Sequence, residues 1–140
     1  MPIPTGGYAH VRLTVTDIAR SRAFYEQVFA FPVAMEIPPD ANADTAASLG
    51  FLFGGVIYQC GTGLLGLRPV APDGDRFDED RVGLDHLSFA AADRAALETA
   101  AALLDTLAID HSGVKDLGQF CLLEFRDPDG IALELFAPAA

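Results

Sequence analysis

Polar and apolar positions alternate along Tyr8–Thr16, where Val11, Leu13 and Val15 separate His10, Arg12 and Thr14. A period of two predicts a half-buried strand. Asp17 can accept from free backbone N–H groups and so cap a following helix. Ser21, Phe24, Tyr25 and Val28 then recur at helical spacing to about Ala30, and Pro32 ends the run. Phe31–Ile37 reads as a second strand. Pro38–Ala47 reads as a polar loop or a short turn of helix. Leu49–Gln59 and Gly63–Val70 read as two more strands, joined at Cys60-Gly61-Thr62-Gly63.

A polar, acidic stretch, Ala71–Arg81, breaks the pattern, and the order then repeats. Gly83–Ala91 is a predicted strand. Asp93 caps a predicted helix whose apolar stripe is Leu97, Ala100, Ala101, Leu104 and Leu107. Ser112–Asp116 is a short strand, and Phe120–Arg126 and Ile131–Ala137 form a hairpin around Asp127-Pro128-Asp129-Gly130, four strong turn formers. The pattern therefore predicts an α+β fold built from an internal duplication, two tandem βαβββ modules at about 6–70 and 82–138 with a connector at 71–81. Each half is of marginal size alone, so the halves are expected to share one domain over residues 1–140.

Composition narrows the function. At 140 residues and 51% hydrophobic, the chain can bury a core and does not match a disordered one. Its 9 basic and 20 acidic residues give a net charge of -11. That field repels a phosphate backbone and an anionic membrane surface, so neither nucleic acid nor membrane is an expected partner. No apolar run approaches the roughly 18 residues of a membrane helix, and the N-terminal residues lack a signal-peptide pattern. Cys60 and Cys121 have no CxxC spacing and read as reduced, small hydrophobes in a cytoplasmic protein. Asp73–Asp80 mimics a calcium loop in composition, but it lacks that loop's Gly and Glu positions and reads as solvated.

The candidate chemistry lies on the strand faces turned away from the core. His10 and His86 occupy equivalent places in the first strand of each copy. On the last strand Ala132, Glu134 and Phe136 share a face, opposite Ile131, Leu133 and Leu135. A carboxylate within Ala-Leu-Glu-Leu-Phe needs an ion pair or a cation to stay charged. Two imidazoles and one carboxylate are the ligands of a facial triad on iron and of an open zinc site. The plainer alternatives are hydrogen-bonded strand histidines and a Glu134 ion-paired to Arg12, Arg68 or Arg126. Arg12 and Arg68 could hold a substrate carboxylate or phosphate bidentately, or they could bridge to some of the many acids. Tyr58 and His111 are further candidates for contacting substrate, although His111 also reads as a solvated loop residue. Phe53, Phe120 and Phe136 could line an apolar pocket or belong to the core.

Three runs together resemble the vicinal oxygen chelate superfamily, also called the glyoxalase, bleomycin-resistance and dioxygenase superfamily. They are His10–Val15 followed by Asp17 and Phe24-Tyr25, then Gly83–Phe89, then Phe125–Phe136. The resemblance implies that the paired modules form one cupped mixed sheet. It implies one divalent ion (Fe2+, Mn2+, Zn2+ or Ni2+) at His10, His86 and Glu134, and a small-molecule substrate chelating that ion. It also implies extradiol-dioxygenase-like or lyase- and isomerase-like chemistry, or else a non-catalytic drug-binding and resistance protein of the bleomycin-binding type. A homodimer is a further implication. The position matching Glu134 in the first module is Gly66, so the fourth, acidic ligand of glyoxalase I members is absent there. The extradiol branch also needs His and Tyr residues beyond the ligands to handle substrate protons, for which His111, Tyr8, Tyr25 and Tyr58 are the candidates.

Overall fold

The computed structural model describes residues 1–139. Two aspartates start the two long helices. Asp17 accepts from the Arg20 N–H at 3.0 Å and Asp93 from the Ala96 N–H at 2.9 Å. Each cap satisfies a donor the first turn leaves free, an effect of about 1 kcal/mol. The helices are α1 (Ile18–Val28) and α3 (Arg94–Thr106), and each follows the first strand of its module, β1 (His10–Thr14) and β5 (Leu87–Ala90).

The rest of the first module is β2 (Val33–Met35), α2 (Ala43–Ser48), a 3-10 turn (Gly50–Leu52), β3 (Val56–Cys60) and β4 (Gly63–Arg68). The second module continues with β6 (Lys115–Asp116), β7 (Phe120–Arg126) and β8 (Ala132–Pro138). Hydrogen bonding gives two mixed four-stranded sheets, ordered β1-β4-β3-β2 and β5-β8-β7-β6. In each, the first strand runs parallel to the last while the remaining pairs are antiparallel. The tandem βαβββ reading is thus the observed architecture.

The chain divides into two compact units, Met1–Asp75 and Arg76–Ala140, with the boundary inside the predicted connector. In the first unit Leu13, Val15, Phe24, Tyr25, Leu52, Val56, Tyr58, Leu65 and Leu67 are buried. In the second, Leu97 and Leu104 of α3 are buried, as are Cys121, Leu123, Phe125 and Leu133 of the sheet. Burying each such Leu or Phe is worth about 1.5–3 kcal/mol. One face of each sheet is therefore committed to its helix, and the other is left for polar side chains.

Four boundaries differ from the expected ones. Leu49–Gln59 is not one strand: Gly50–Leu52 forms a 3-10 turn, Phe53 is left-handed at φ 53°, and β3 begins at Val56. Phe31–Ile37 contributes only Val33–Met35, whose pairing with β3 shifts register. Gly83–Ala91 contributes only Leu87–Ala90, so His86 lies just before β5. Ser112–Asp116 contributes only Lys115–Asp116, because Ser112 and His111 instead bond individually to β7. The aspartates of the acidic connector are exposed, as expected, while its latter half is tied to the second unit at three points. The Arg76 guanidinium donates to Pro128 O at 2.8 Å, the Phe77 N–H donates to Asp129 O at 3.0 Å, and Glu79 pairs with Arg126. Among the described residues no helix is long and apolar enough to cross a membrane.

Candidate metal and substrate site

Strand parity decides which side chains of β8 are available. Leu133 points into the core and is 1% exposed, whereas Glu134 points to the open face. Its register partner on β5 is Ser88, whose hydroxyl donates to Glu134 Oε1 at 2.7 Å. The second oxygen, Oε2, lies 3.8 Å from His86 Nε2. On the far side of that ring, the Nδ1–H donates to Asp85 Oδ1 at 2.5 Å. A carboxylate can only accept, so Nδ1 carries the proton and, in the neutral ring, Nε2 keeps its lone pair toward Glu134. The imidazole pKa is raised chiefly by the Asp85 hydrogen bond, with burial opposing and the charges of Glu134, Asp85 and Glu124 adding.

These groups border a cavity of about 270 Å³ whose polar lining is Glu79, Asp85, His86, Glu124, Arg126 and Glu134. Glu124 stands directly opposite Glu134 across β7 and β8 and is ion-paired to Lys115. Arg126 donates to Glu79, which holds that carboxyl down at about 2. The cavity is thus rich in carboxylates, two of which carry their own cation.

Two ligand atoms each about 2.1 Å from one ion lie at most about 4.2 Å apart. The 3.8 Å between His86 Nε2 and Glu134 Oε2 is inside that limit, so the pair fits a shared ion. Asp85 behind the ring and Ser88 behind the carboxylate are the kind of outer partners that orient metal ligands. Among the described residues no group of three or more His, Cys, Asp or Glu side chains converges as a ready ligand set.

The first unit supplies the equivalent frame with different side chains. Arg12 stands in register with Gly66 as Ser88 does with Glu134, and His10 precedes Arg12 by the two residues that separate His86 from Ser88. The match of Gly66 to Glu134 is therefore a register equivalence. A Cβ at Gly66 would stand 3.0 Å from Arg12 Cγ, so the arginine stem covers the place where a side chain at 66 would project. His10 opens β1 and is exposed.

Tyr58 and His111 are not placed to touch a ligand. Tyr58 shares the helix-facing parity of β3 with Val56, is fully buried, and donates its hydroxyl to Glu26 Oε1 at 3.0 Å. Burial, with that bond, pushes its phenol well above the ordinary tyrosine range. His111 accepts from the Gly113 N–H at 3.0 Å through Nδ1 and faces Asp105 Oδ1 at 2.9 Å through Nε2. Nε2 then carries the proton, and both ring nitrogens are committed to holding the loop after α3. Tyr25 is likewise fully buried. Asp85 and Glu124 were missed as members of the site. The Asp-His dipeptide and the alternation Leu122, Glu124, Arg126 along β7 are the signals that pointed to them.

A family model described as the Glyoxalase/Bleomycin resistance protein/Dioxygenase superfamily matches residues 7–135. No curated protein matches the chain. Among solved structures, a glyoxylase/bleomycin resistance protein/dioxygenase domain from Frankia sp. EAN1pec is 26% identical with a TM-score of 0.76, covering 96% of this chain and 93% of that one. Lactoylglutathione lyase from Agrobacterium tumefaciens is 20% identical with a TM-score of 0.70, covering 96% of both chains. A variant of FosX, a genomically encoded fosfomycin resistance protein from Listeria monocytogenes, was solved with Mn(II) and 1S,2S-dihydroxypropylphosphonic acid. It is 14% identical with a TM-score of 0.72, covering 97% of this chain and 95% of that one. At under 25% identity the last two show a shared fold.

Proposed function

The chain belongs to the glyoxalase/bleomycin resistance protein/dioxygenase superfamily, and from that premise we propose that it is a metal-dependent enzyme acting on a small oxygenated molecule. His86 and Glu134 hold one divalent ion, with His10 as the third ligand. The observation that carries this reading is the buttressed pair in the second unit, where Asp85 fixes the His86 ring and Ser88 fixes Glu134 with the facing atoms 3.8 Å apart. His10 is assigned because it precedes Arg12 by the two residues that separate His86 from Ser88, and Arg12 and Ser88 hold equivalent register positions. Manganese in the FosX variant supports Mn2+, with Fe2+, Zn2+ and Ni2+ as the other candidates.

When bound, the ion supplies Lewis acidity that stabilises an oxyanion on a substrate with adjacent oxygens. The protein's own contribution is positional. Asp85 sets the His86 tautomer and ring angle, and Ser88 holds Oε1 of Glu134 so that Oε2 is the free donor. Lyase, isomerase or addition chemistry fits better than ring cleavage, because Tyr25, Tyr58 and His111 are committed to structure and Tyr8 stands fully exposed. A glyoxalase I mechanism is disfavoured by Gly66, where Arg12 covers the place of the acidic ligand.

A second reading, capture of a cationic drug without turnover, is favoured by the four carboxylates bordering the cavity. The two readings separate in one assay. Metal-loaded protein is incubated with a panel of compounds carrying vicinal oxygens, and products are followed by NMR. Turnover that is abolished by a chelator and by Glu134→Ala supports the enzyme. Metal-independent tight binding of cations with no turnover supports the second reading and contradicts the first.

A further inference from the structure

In a chain with net charge -11, a cation without a carboxylate needs a reason. Arg22, Arg81, Arg94, Lys115 and Arg126 each have one within ion-pair distance. Among the described residues Arg12 and Arg68 have none. They are diagonal neighbours on the open face of the first sheet, since Arg12 pairs with Gly66 and Arg68 lies two residues further along β4. Strand spacing puts their Cα atoms about 8 Å apart. Both residues are half-buried, and like charges on one sheet face repel unless an anion joins them.

Both are held by the same short segment. Arg12 Nη2 donates to Phe51 O at 2.6 Å, and the Arg68 guanidinium lies 4.3 Å over the Phe53 ring. Leu52, between them in sequence, is fully buried and anchors the segment. Phe53 adopts a left-handed φ of 53°, an uncommon conformation for an aromatic residue. A guanidinium packed over a ring keeps its in-plane N–H groups for another acceptor. Arg12 Nε is buried and has no hydrogen-bond partner, a donor whose isolation costs about 1–3 kcal/mol. Gly66 makes the arrangement possible, because any larger residue meets the Arg12 stem.

We propose that Arg12 and Arg68 form a binding site for a small organic oxyanion, a carboxylate or phosphonate, flanked by the exposed rings of Phe51 and Phe53. That this anion is the substrate's own acidic group rests on the proposed function, but the binding itself does not. The site lies within the first unit and needs no metal.

The full chain, without added metal, is titrated with inorganic phosphate and with phenylphosphonate while the arginine Nε–H resonances are followed by 15N NMR. Saturable binding that shifts Arg12 and Arg68 Nε–H, tighter for phenylphosphonate than for phosphate, is expected. Arg12→Gln and Arg68→Gln each weaken phenylphosphonate by about tenfold or more, the effect of one charge-assisted hydrogen bond. Arg81→Gln, which removes an ion-paired surface arginine, leaves affinity unchanged. Absence of saturable binding in the wild type overturns the proposal without reliance on any variant. Equal weakening by Arg81→Gln overturns it too, since bulk charge would then suffice. A wild-type chain that binds the anion but takes up none of the four candidate metals counts against the proposed function and leaves this site standing.

Discussion

Ser88 and Glu134 face each other in register across β5 and β8, joined by a hydroxyl-to-carboxylate hydrogen bond of 2.7 Å. The bond leaves one carboxylate oxygen to face His86. Ser88→Ala frees the carboxylate to rotate without removing a ligand. Outer partners of this kind are worth about 10–100-fold in metal affinity. Competitive titration with a chromogenic chelator is expected to show a loss at the low end of that range, with the melting temperature unchanged. Unaltered affinity would mean that Ser88 does not orient Glu134.

Glu79 joins the connector to β7 through Arg126, and that hydrogen bond lowers its carboxyl to about 2. A depressed carboxyl favours the folded state above the unfolded-chain value near pH ~4. The contribution is lost as pH falls from there toward 2. A 13C titration of the side-chain carboxyl should show the low midpoint in wild type. Arg126→Gln should return it to the ordinary glutamate range.

Gly55 turns the chain into β3 beneath β4. A Cβ there would stand 1.9 Å from the Leu67 carbonyl oxygen, an overlap with backbone that no rotamer relieves. Gly55→Ala is expected to cost about 3 kcal/mol, or roughly 10 °C in melting temperature. Calorimetry on the purified variant reads this directly, and a wild-type melting temperature would contradict the close approach.

What the sequence made legible was what repeats or alternates. The doubled βαβββ order, both aspartate caps and the Asp127–Gly130 turn followed from period and turn chemistry. The equivalence of Gly66 with Glu134 came with the family resemblance, and the strand register bears it out. The segment before β3 was not legible. Leu49–Val56 is continuously apolar apart from its glycines, and nothing in it marks where a 3-10 turn gives way to a strand. That shift hid the parity of Tyr58, which lies with Val56 against α1 and not on the open face.

Of the proposed site, the candidate ligands were legible in the sequence and their supports were not. Glu134 stood out as a carboxylate among apolar residues. Asp85 and Ser88 are ordinary residues whose roles come from register across strands far apart in sequence. His111 shows the same limit in reverse. Its rarity in the chain drew attention, but its partners Asp105 and Gly113 make it a loop clasp.

Metal binding tests the central claim most directly. Wild type, His10→Ala, His86→Ala and Glu134→Ala are loaded anaerobically with Mn2+, Fe2+, Zn2+ or Ni2+, passed through a desalting column, and analysed by mass spectrometry for metal per chain. The account predicts close to one ion per wild-type chain for at least one metal and a large loss in each variant, all four proteins keeping the same circular dichroism. Equal retention by wild type and the His86 and Glu134 variants would contradict it.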